Sequence, residues 1–203
     1  MVLLVMGSVA GQARITKEEY EIYGLVLTEF FRDRNRRSPD DTEAEKHFVI
    51  ASKTATVDWA VVDGESRKSS LDRSFHDRNQ EQVSLERRIP MRLSYSFADE
   101  KEILDWAALD AAEYLAKQEQ LRKEGKPLDG GPCGPEWKRF HSRFPESFGY
   151  YRLSRIGFSR DHRRAYLEID AKGATWGEWA SYFLRRTKHG WKVQKSGGSG
   201  EVC

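Results

Sequence analysis

In Ala165-Tyr166-Leu167-Glu168-Ile169-Asp170, apolar residues alternate with polar or amphipathic ones at a period of two. Ala165, Leu167 and Ile169 therefore share one face of an extended segment, and Tyr166, Glu168 and Asp170 the other, as in a strand with one wet side. The flanking sequence carries the same signal. Leu153 to Phe158 puts Ile156 and Phe158 on one face, then breaks at Ser159-Arg160-Asp161-His162, a polar tetrapeptide suited to a hairpin loop. Lys172-Gly173 offers a turn with positive φ, Trp179 to Leu184 is aromatic and strand-like, and Lys188-His189-Gly190 turns the chain into Trp191-Lys192-Val193. Tyr150 to Val193 thus predicts an antiparallel meander of three or four short strands. Gly157, inside one of them, marks a bulge or a close backbone approach.

Helical periodicity predicts two main helices. Thr16 stands three before Glu19, the spacing of a capping box, with Ile15 and Tyr20 at the hydrophobic-staple positions. The helix that follows runs to about Phe31 and places Tyr20, Tyr23, Leu27, Phe30 and Phe31 on one face, a packing surface for the apolar side of the meander. A second, long helix is capped by Asp99, with Glu102 three later, and stops at Gly125 and Pro127. Between them, His47 to Trp59 reads as a strand or two, and Leu71 with Phe75 as a short helix capped by Ser69 or Ser70. Met91 to Phe97 reads as another strand, and Glu136 to Pro145 as a turn of helix with Trp137, Phe140 and Phe144 inward. The fold class is α+β: an antiparallel C-terminal meander packed against an N-terminal helix, with a second long helix in the middle of the chain.

A length of 203 residues suits one domain. With 33% charged and 12% aromatic residues, an aromatic-rich core under a charged surface is expected. Met1 to Ala13 is a short apolar run ending in small residues, with Ser8-Val9-Ala10 or Gly11-Gln12-Ala13 as a small-x-small site. It resembles the back half of a secretory signal, too short to span a membrane. The missing positive n-region would follow from a misassigned start codon or a truncated chain. The expected division is 1–13 signal remnant, 14–195 single domain and 196–203 flexible tail, the last containing Ser196-Gly197-Gly198-Ser199-Gly200. The expected location is extracytoplasmic, either periplasmic or secreted.

A net charge of +2 gives no global attraction to membranes or nucleic acid, and a nucleic-acid partner is not expected. The distribution is uneven, however. Tyr150 to Lys195 holds eleven Lys and Arg against four Asp and Glu, a net +7, whereas residues 1–149 carry −4. A basic sheet on a mildly acidic body can receive an anionic ligand or protein partner; alternatively these arginines solubilise the strands or pair with acids elsewhere. The candidate binding residues are Arg160, Arg163 and Arg164 around the Asp161-His162 loop, where an Arg cluster would lower the Asp161 pKa. Trp176 and Trp179, with Trp191, are candidates for a stacking platform, core packing being the other use of such rings.

Catalytic signals are sparse. His76 and Asp77, joined by the distant His162, are the candidate acid–base groups, although neighbours in sequence on a helix do not face each other. The five histidines show no metal-ligand spacing, so no metal is expected. Without a GxGxxG, a P-loop or a GxSxG elbow, no cofactor is expected either. Cys133 and Cys203 allow one disulfide, which would contribute on the order of 4 kcal/mol through chain entropy. Two free thiols or an intermolecular bond remain open. Two function classes follow: a non-enzymatic extracytoplasmic binding or interaction module using a basic, Trp-bearing sheet surface, or a small hydrolase or nuclease assembled from distant His and Asp residues. A concave pocket gathering a histidine with a carboxylate would favour the second.

The segments EEYEIYGLVL, FPESFGYYRLSRIGFSRDHRRAYLEI and FLRRTKHGWKV, in that order, resemble a set of uncharacterised bacterial proteins. Those begin with a signal sequence and carry a Ser-Arg-x-Gly-Phe strand, here Ser154 to Phe158, and a closing Gly-Trp-Lys strand, here Gly190 to Lys192. The resemblance implies export and one α+β domain, and it carries over no catalytic residue. Where that pattern has a Gly-rich third strand, this chain has Ala174-Thr175-Trp176-Gly177-Glu178-Trp179.

Overall fold

Thr16 and Glu19 close the capping box that their spacing predicts. The Thr16 N–H donates to Glu19 Oε2 at 2.9 Å, and the Glu19 N–H donates to Thr16 Oγ1 at 3.2 Å. From this start α1 runs Lys17–Arg37, beyond the expected end at Phe31. In this computed structural model the described residues are 14–37, 47–56, 69–128, 136–147 and 149–202. The expected signal remnant at 1–13 and both cysteines lie outside them.

The remaining elements are β1 (His47–Ala51), α2 (Ser70–Arg78), β2 (Ser94–Ala98), α3 (Glu100–Lys123), α4 (Lys138–Arg143), β3 (Gly149–Leu153), β4 (Gly157–Phe158), β5 (Arg164–Gly173), β6 (Trp176–Thr187) and β7 (Gly190–Val202). The sheet has the order β2-β1-β3-β5-β6-β7, with β4 beside β5. The β2, β1 and β3 pairings are parallel, and β3, β5, β6 and β7 pair antiparallel. The chain is therefore α+β, with the expected antiparallel meander in a mixed sheet.

One face of the sheet is closed by α1. Tyr20, Tyr23, Leu27, Phe30 and Phe31 are all buried, in one core with Tyr151, Leu153, Leu167 and Ile169. Phe31 stacks on Phe48 at 3.5 Å between ring centroids and meets Tyr151 edge-on at 5.0 Å. The buried Tyr23 hydroxyl donates to the Ser154 carbonyl at 2.9 Å, so this wide aromatic stripe leaves no polar atom of that ring unpaired.

The opposite face is covered in part. Ile103 of α3 and Phe140 of α4 pack on Val49 and Tyr150, with Trp137 and Phe144 at the margin. Over β4 lies α2, whose N-cap is Ser69 with a capping box to Asp72. Gly157 is the close approach its position suggests: an added Cβ would sit 2.5 Å from Phe75 Cβ. The register shift in the sheet falls elsewhere, between Phe183 and Leu184.

Three expectations need adjustment. The strand expected over Leu153 to Phe158 is split between β3 and β4, because helices take its backbone groups. Ser154 gives its carbonyl to Tyr23, and the Arg155 N–H donates to Asn79 Oδ1 at 2.6 Å. Gly173 is required by the Trp176 ring, 2.1 Å from where its Cβ would lie, and positive φ occurs instead at Gly125, His162 and Gly190. Finally, residues 196–202, expected as a tail, continue β7 and pair with β6 as far as Trp176↔Val202. Glycine makes that pairing possible, since a Cβ at Gly198 would lie 2.4 Å from the Trp179 carbonyl oxygen.

Candidate functional site

Strand register sorts the candidate binding residues. On β5, Ala165, Leu167, Ile169 and Ala171 face α1, so Arg164, Tyr166, Glu168 and Asp170 face away. Their partners on β6 are Arg185, Phe183, Ser181 and Trp179, which continue on β7 into Lys192, Lys195, Gly197 and Ser199. Four cross-strand rows result, about 7 Å apart along the strands. The first is entirely cationic: Arg164, Arg185 and Lys192. In the second, Tyr166 and Phe183 lie ring to ring at 4.7 Å beside Lys195. Arg164, Arg185, Lys192, Lys195, Phe183 and Trp179 are exposed, and among the described residues the four cations have no ion-pair partner.

The two carboxylates on this face are engaged. Burial pushes the Glu168 carboxyl above its usual range, only partly offset by hydrogen bonds from Tyr166 and Trp179. The Tyr166 hydroxyl donates to Glu168 Oε1 at 2.5 Å; burial first, then the Glu168 charge, raises the tyrosine's own pKa. Asp170 accepts from Arg152 Nε at 2.9 Å, and Arg152 also reaches Glu100 of α3 at 2.9 Å. Beside them Tyr150 is pushed up to about 12, mainly by burial and then by Glu100. The unbalanced charge on this side is positive.

The two tryptophans do not form one platform. Trp179 looks out with 41% of its surface exposed, whereas Trp176 has the opposite strand parity and packs over Gly149 and Gly173 toward Tyr151. Trp191 also lies on the α1 side, its indole donating to Glu18 at 3.1 Å. The arginine loop is tightly wound: Ser159 Oγ donates to Asp161 Oδ1 at 2.6 Å and accepts the Arg164 N–H at 2.9 Å. The Asp161 pKa is lowered as expected, but the Ser159 hydroxyl is the main cause and the Arg163 backbone N–H the next. Arg160, Arg163 and Arg164 are exposed around that loop. They stand at the far end of β5 and β6 from Trp179, roughly 20 Å away.

Of the catalytic candidates, His76 and Asp77 are 3.5 Å apart, side by side at the exposed C-terminal end of α2, and the imidazole also meets Gln80 at 3.2 Å. His162 is on the hairpin, at φ 51°, stacked on Phe158 at 5.3 Å. Among the described residues no group of three or more His, Cys, Asp or Glu is placed to hold a metal.

Sequence reasoning passed over another histidine. His47 bridges two serines of the parallel neighbour β2: its Nδ1 is 2.8 Å from Ser94 Oγ, and its Nε2 is 2.9 Å from Ser96 Oγ. A cleft of about 290 Å³ opens there, lined by His47, Ser96, Arg143, Phe144, Pro145 and Glu146. Its lining includes a histidine and a glutamate, but the hydrogen bond between the two residues runs from the His47 N–H to the Glu146 backbone carbonyl, and the imidazole is held by the serines. Its only sequence trace was Ser94-x-Ser96, two hydroxyls on one face of a strand. Nothing local tied them to a residue 47 positions earlier.

Comparison with protein-family models, curated proteins and solved structures returns no match. No helix among the described residues is long and apolar enough to cross a membrane.

Proposed function

We propose that this chain is a binding module whose open sheet face takes an elongated anionic ligand, with an acidic oligosaccharide as the chemistry that fits best. The observation that carries this reading is the row Arg164–Arg185–Lys192, three cations abreast on three strands. Like charges directly opposite one another destabilise a sheet. An anion laid across them replaces repulsion with attraction. Further along the same face, Phe183 and Trp179 offer exposed rings on which the apolar face of a sugar can rest. The binding residues are then Arg164, Arg185, Lys192, Lys195, Phe183 and Trp179, with Arg160 and Arg163 at the entrance and Trp176 left to packing.

The test is a tryptophan-fluorescence titration with a heparin-derived hexasaccharide as probe, at low and high salt. Binding should weaken as salt screens the exposed charges. The double variant R164E/R185E should lose roughly tenfold or more in affinity. Its melting temperature should change little, because two facing glutamates repel as the two arginines do, while the new acid on β6 gains Lys192 as an opposite charge across the strands. W179A, read by calorimetry, should weaken binding while keeping the salt dependence. Equal affinity in R164E/R185E and wild type would overturn the proposal, as would tighter binding of an oligothymidylate than of the oligosaccharide.

A further inference from the structure

We propose that His47, Ser94 and Ser96 form a nucleophilic site for hydrolysis of short-chain carboxylic esters, with Ser96 as the nucleophile. The site stands at the other end of the sheet from the cationic row. Four strand spacings separate β2 from β6, about 19 Å, so the site is independent of the binding face.

A general base must hold its ring in one orientation and present a lone pair to the nucleophile's proton. Parallel pairing of β1 with β2 sets His47 beside Ser94, and the two-residue period puts Ser96 on the same face. With the Nδ1–H donated to Ser94 Oγ, the Nε2 lone pair accepts the Ser96 hydroxyl at 2.9 Å. Nucleophile, base and orienting group are then in line. The backbone holds this still: the His47 N–H donates to the Glu146 carbonyl at 3.3 Å, tying β1 to the segment after α4 that walls the cleft. Arg143 lines the same cleft and is the cation available within it to offset negative charge. A cleft of about 290 Å³ suits a small acyl group better than a long chain.

In the reaction, Ser96 Oγ bonds to the ester carbonyl carbon while its proton passes to His47 Nε2. The carbonyl π electrons move onto oxygen. Collapse breaks the ester C–O bond, and the leaving alkoxide takes the proton from Nε2. Water then attacks the acyl carbon as its proton passes to His47 Nε2; collapse breaks the acyl–Oγ bond, Ser96 Oγ takes that proton back, and the carboxylic acid leaves. Oxidation states do not change and no co-reactant beyond water is needed. Ser94 is neutral where a carboxylate would stabilise the imidazolium. A neutral partner stabilises the imidazolium less than a carboxylate, so slow catalysis is expected; with an activated ester, whose leaving group departs easily, deacylation is the slower step and the acyl form accumulates.

The experiment exposes the wild-type chain to a fluorophosphonate probe and locates the adduct by mass spectrometry; p-nitrophenyl acetate hydrolysis is followed in parallel. The expected result is a single adduct on Ser96, and a burst of p-nitrophenol that S96A lacks. H47Q retains hydrogen-bonding groups for both serines and should lose the burst and most of the labelling at Ser96. S94A should still be labelled, more slowly. Because the adduct is read on the wild-type protein, the outcome does not depend on how S96A folds. No adduct on Ser96, an adduct on another residue, or a burst that persists in S96A would overturn the proposal.

Discussion

Replacing Glu19 by glutamine should destabilise the fold far more than a change on most helical surfaces. The carboxylate is fully buried, caps its own helix through Thr16, and lies 2.7 Å from Arg78 and 3.5 Å from Arg155. Glutamine keeps the shape and an acceptor for the Thr16 amide, but turns an NH2 donor toward Arg78 and Arg155, so the charge and the acceptor for the two guanidinium groups are lost together. Both guanidinium groups are already short of acceptors, since the buried Nε of each has no hydrogen-bond partner among the described residues. Breaking a buried pair by neutralising one partner costs about 3–5 kcal/mol, because the remaining charge stays desolvated. The Arg78 side chain is 27% exposed and can turn toward water, which favours the lower end of that range. Spread over a chain of this size, the loss corresponds to a fall in Tm of about 8–15 °C.

The assay is urea unfolding at neutral pH, followed by tryptophan fluorescence and far-UV circular dichroism with coincident transitions required. E18Q is the control one residue away. Glu18 pairs at 3.1 Å with an Arg186 side chain that is 53% exposed, and such a surface pair contributes about 1 kcal/mol at most. An E19Q loss no larger than that of E18Q would refute the reasoning. The triple variant E19M/R78M/R155M gives a second check: removing all three charges together should recover much of what E19Q alone loses, less the Thr16 cap.

Two other predictions concern the opposite face. G157A should destabilise by about 1–3 kcal/mol in the same assay, since the new methyl meets Phe75 backbone and Cβ at 2.5–2.8 Å; wild-type stability would show that α2 shifts away freely. E168Q should raise stability near neutral pH and leave it unchanged in acid. Burial raises the Glu168 carboxyl above 4.5 in the folded chain, so between the two values the folded state holds a proton that the unfolded state has released. Wild-type stability therefore falls as pH rises through that window, and the glutamine variant escapes the fall. Tm measured at about pH 4 and about pH 8 decides the point; a difference between variants that is the same at both would contradict it.

What the sequence revealed was what is written locally. Thr16 and Glu19 are three apart, the α1 stripe repeats within a few turns, and β5 alternates in consecutive residues, so each could be read in place. The parallel half of the sheet could not. It joins His47 to Ser94 and Val49 to Tyr150 across long intervals, and no short pattern marks those pairings. Asn79 illustrates the same limit. In sequence it stands next to His76, Asp77 and Arg78 with nothing to mark it, yet it is buried, donating to Phe75 and Arg155 carbonyls and accepting from the Arg155 amide. The Ser/Gly composition of 196–200 pointed to a tail because glycine costs entropy in a strand. Here small residues are what the close-packed edge of the sheet requires.

A strand with one wet face must carry polar residues whether or not it binds anything, so the +7 of the meander does not by itself distinguish a docking face from a solvated one. Placement does. Lysines on an edge strand are a common protection against unwanted pairing, which accounts for Lys192 and Lys195 on β7. That account fails for Arg164 and Arg185, which stand on β5 and β6, both paired on two sides for part of their length. Solubility alone is served equally well by a glutamate in either position, and a Glu–Arg pair across the strands would add stability where Arg–Arg removes it. The same face keeps Asp170 neutralised by Arg152 and holds Glu168 toward its protonated form. It also leaves Phe183 and Trp179 uncovered by α2, α3 or α4. Repulsion retained on interior strands, acids engaged and rings exposed are the three features that support the proposed anionic ligand.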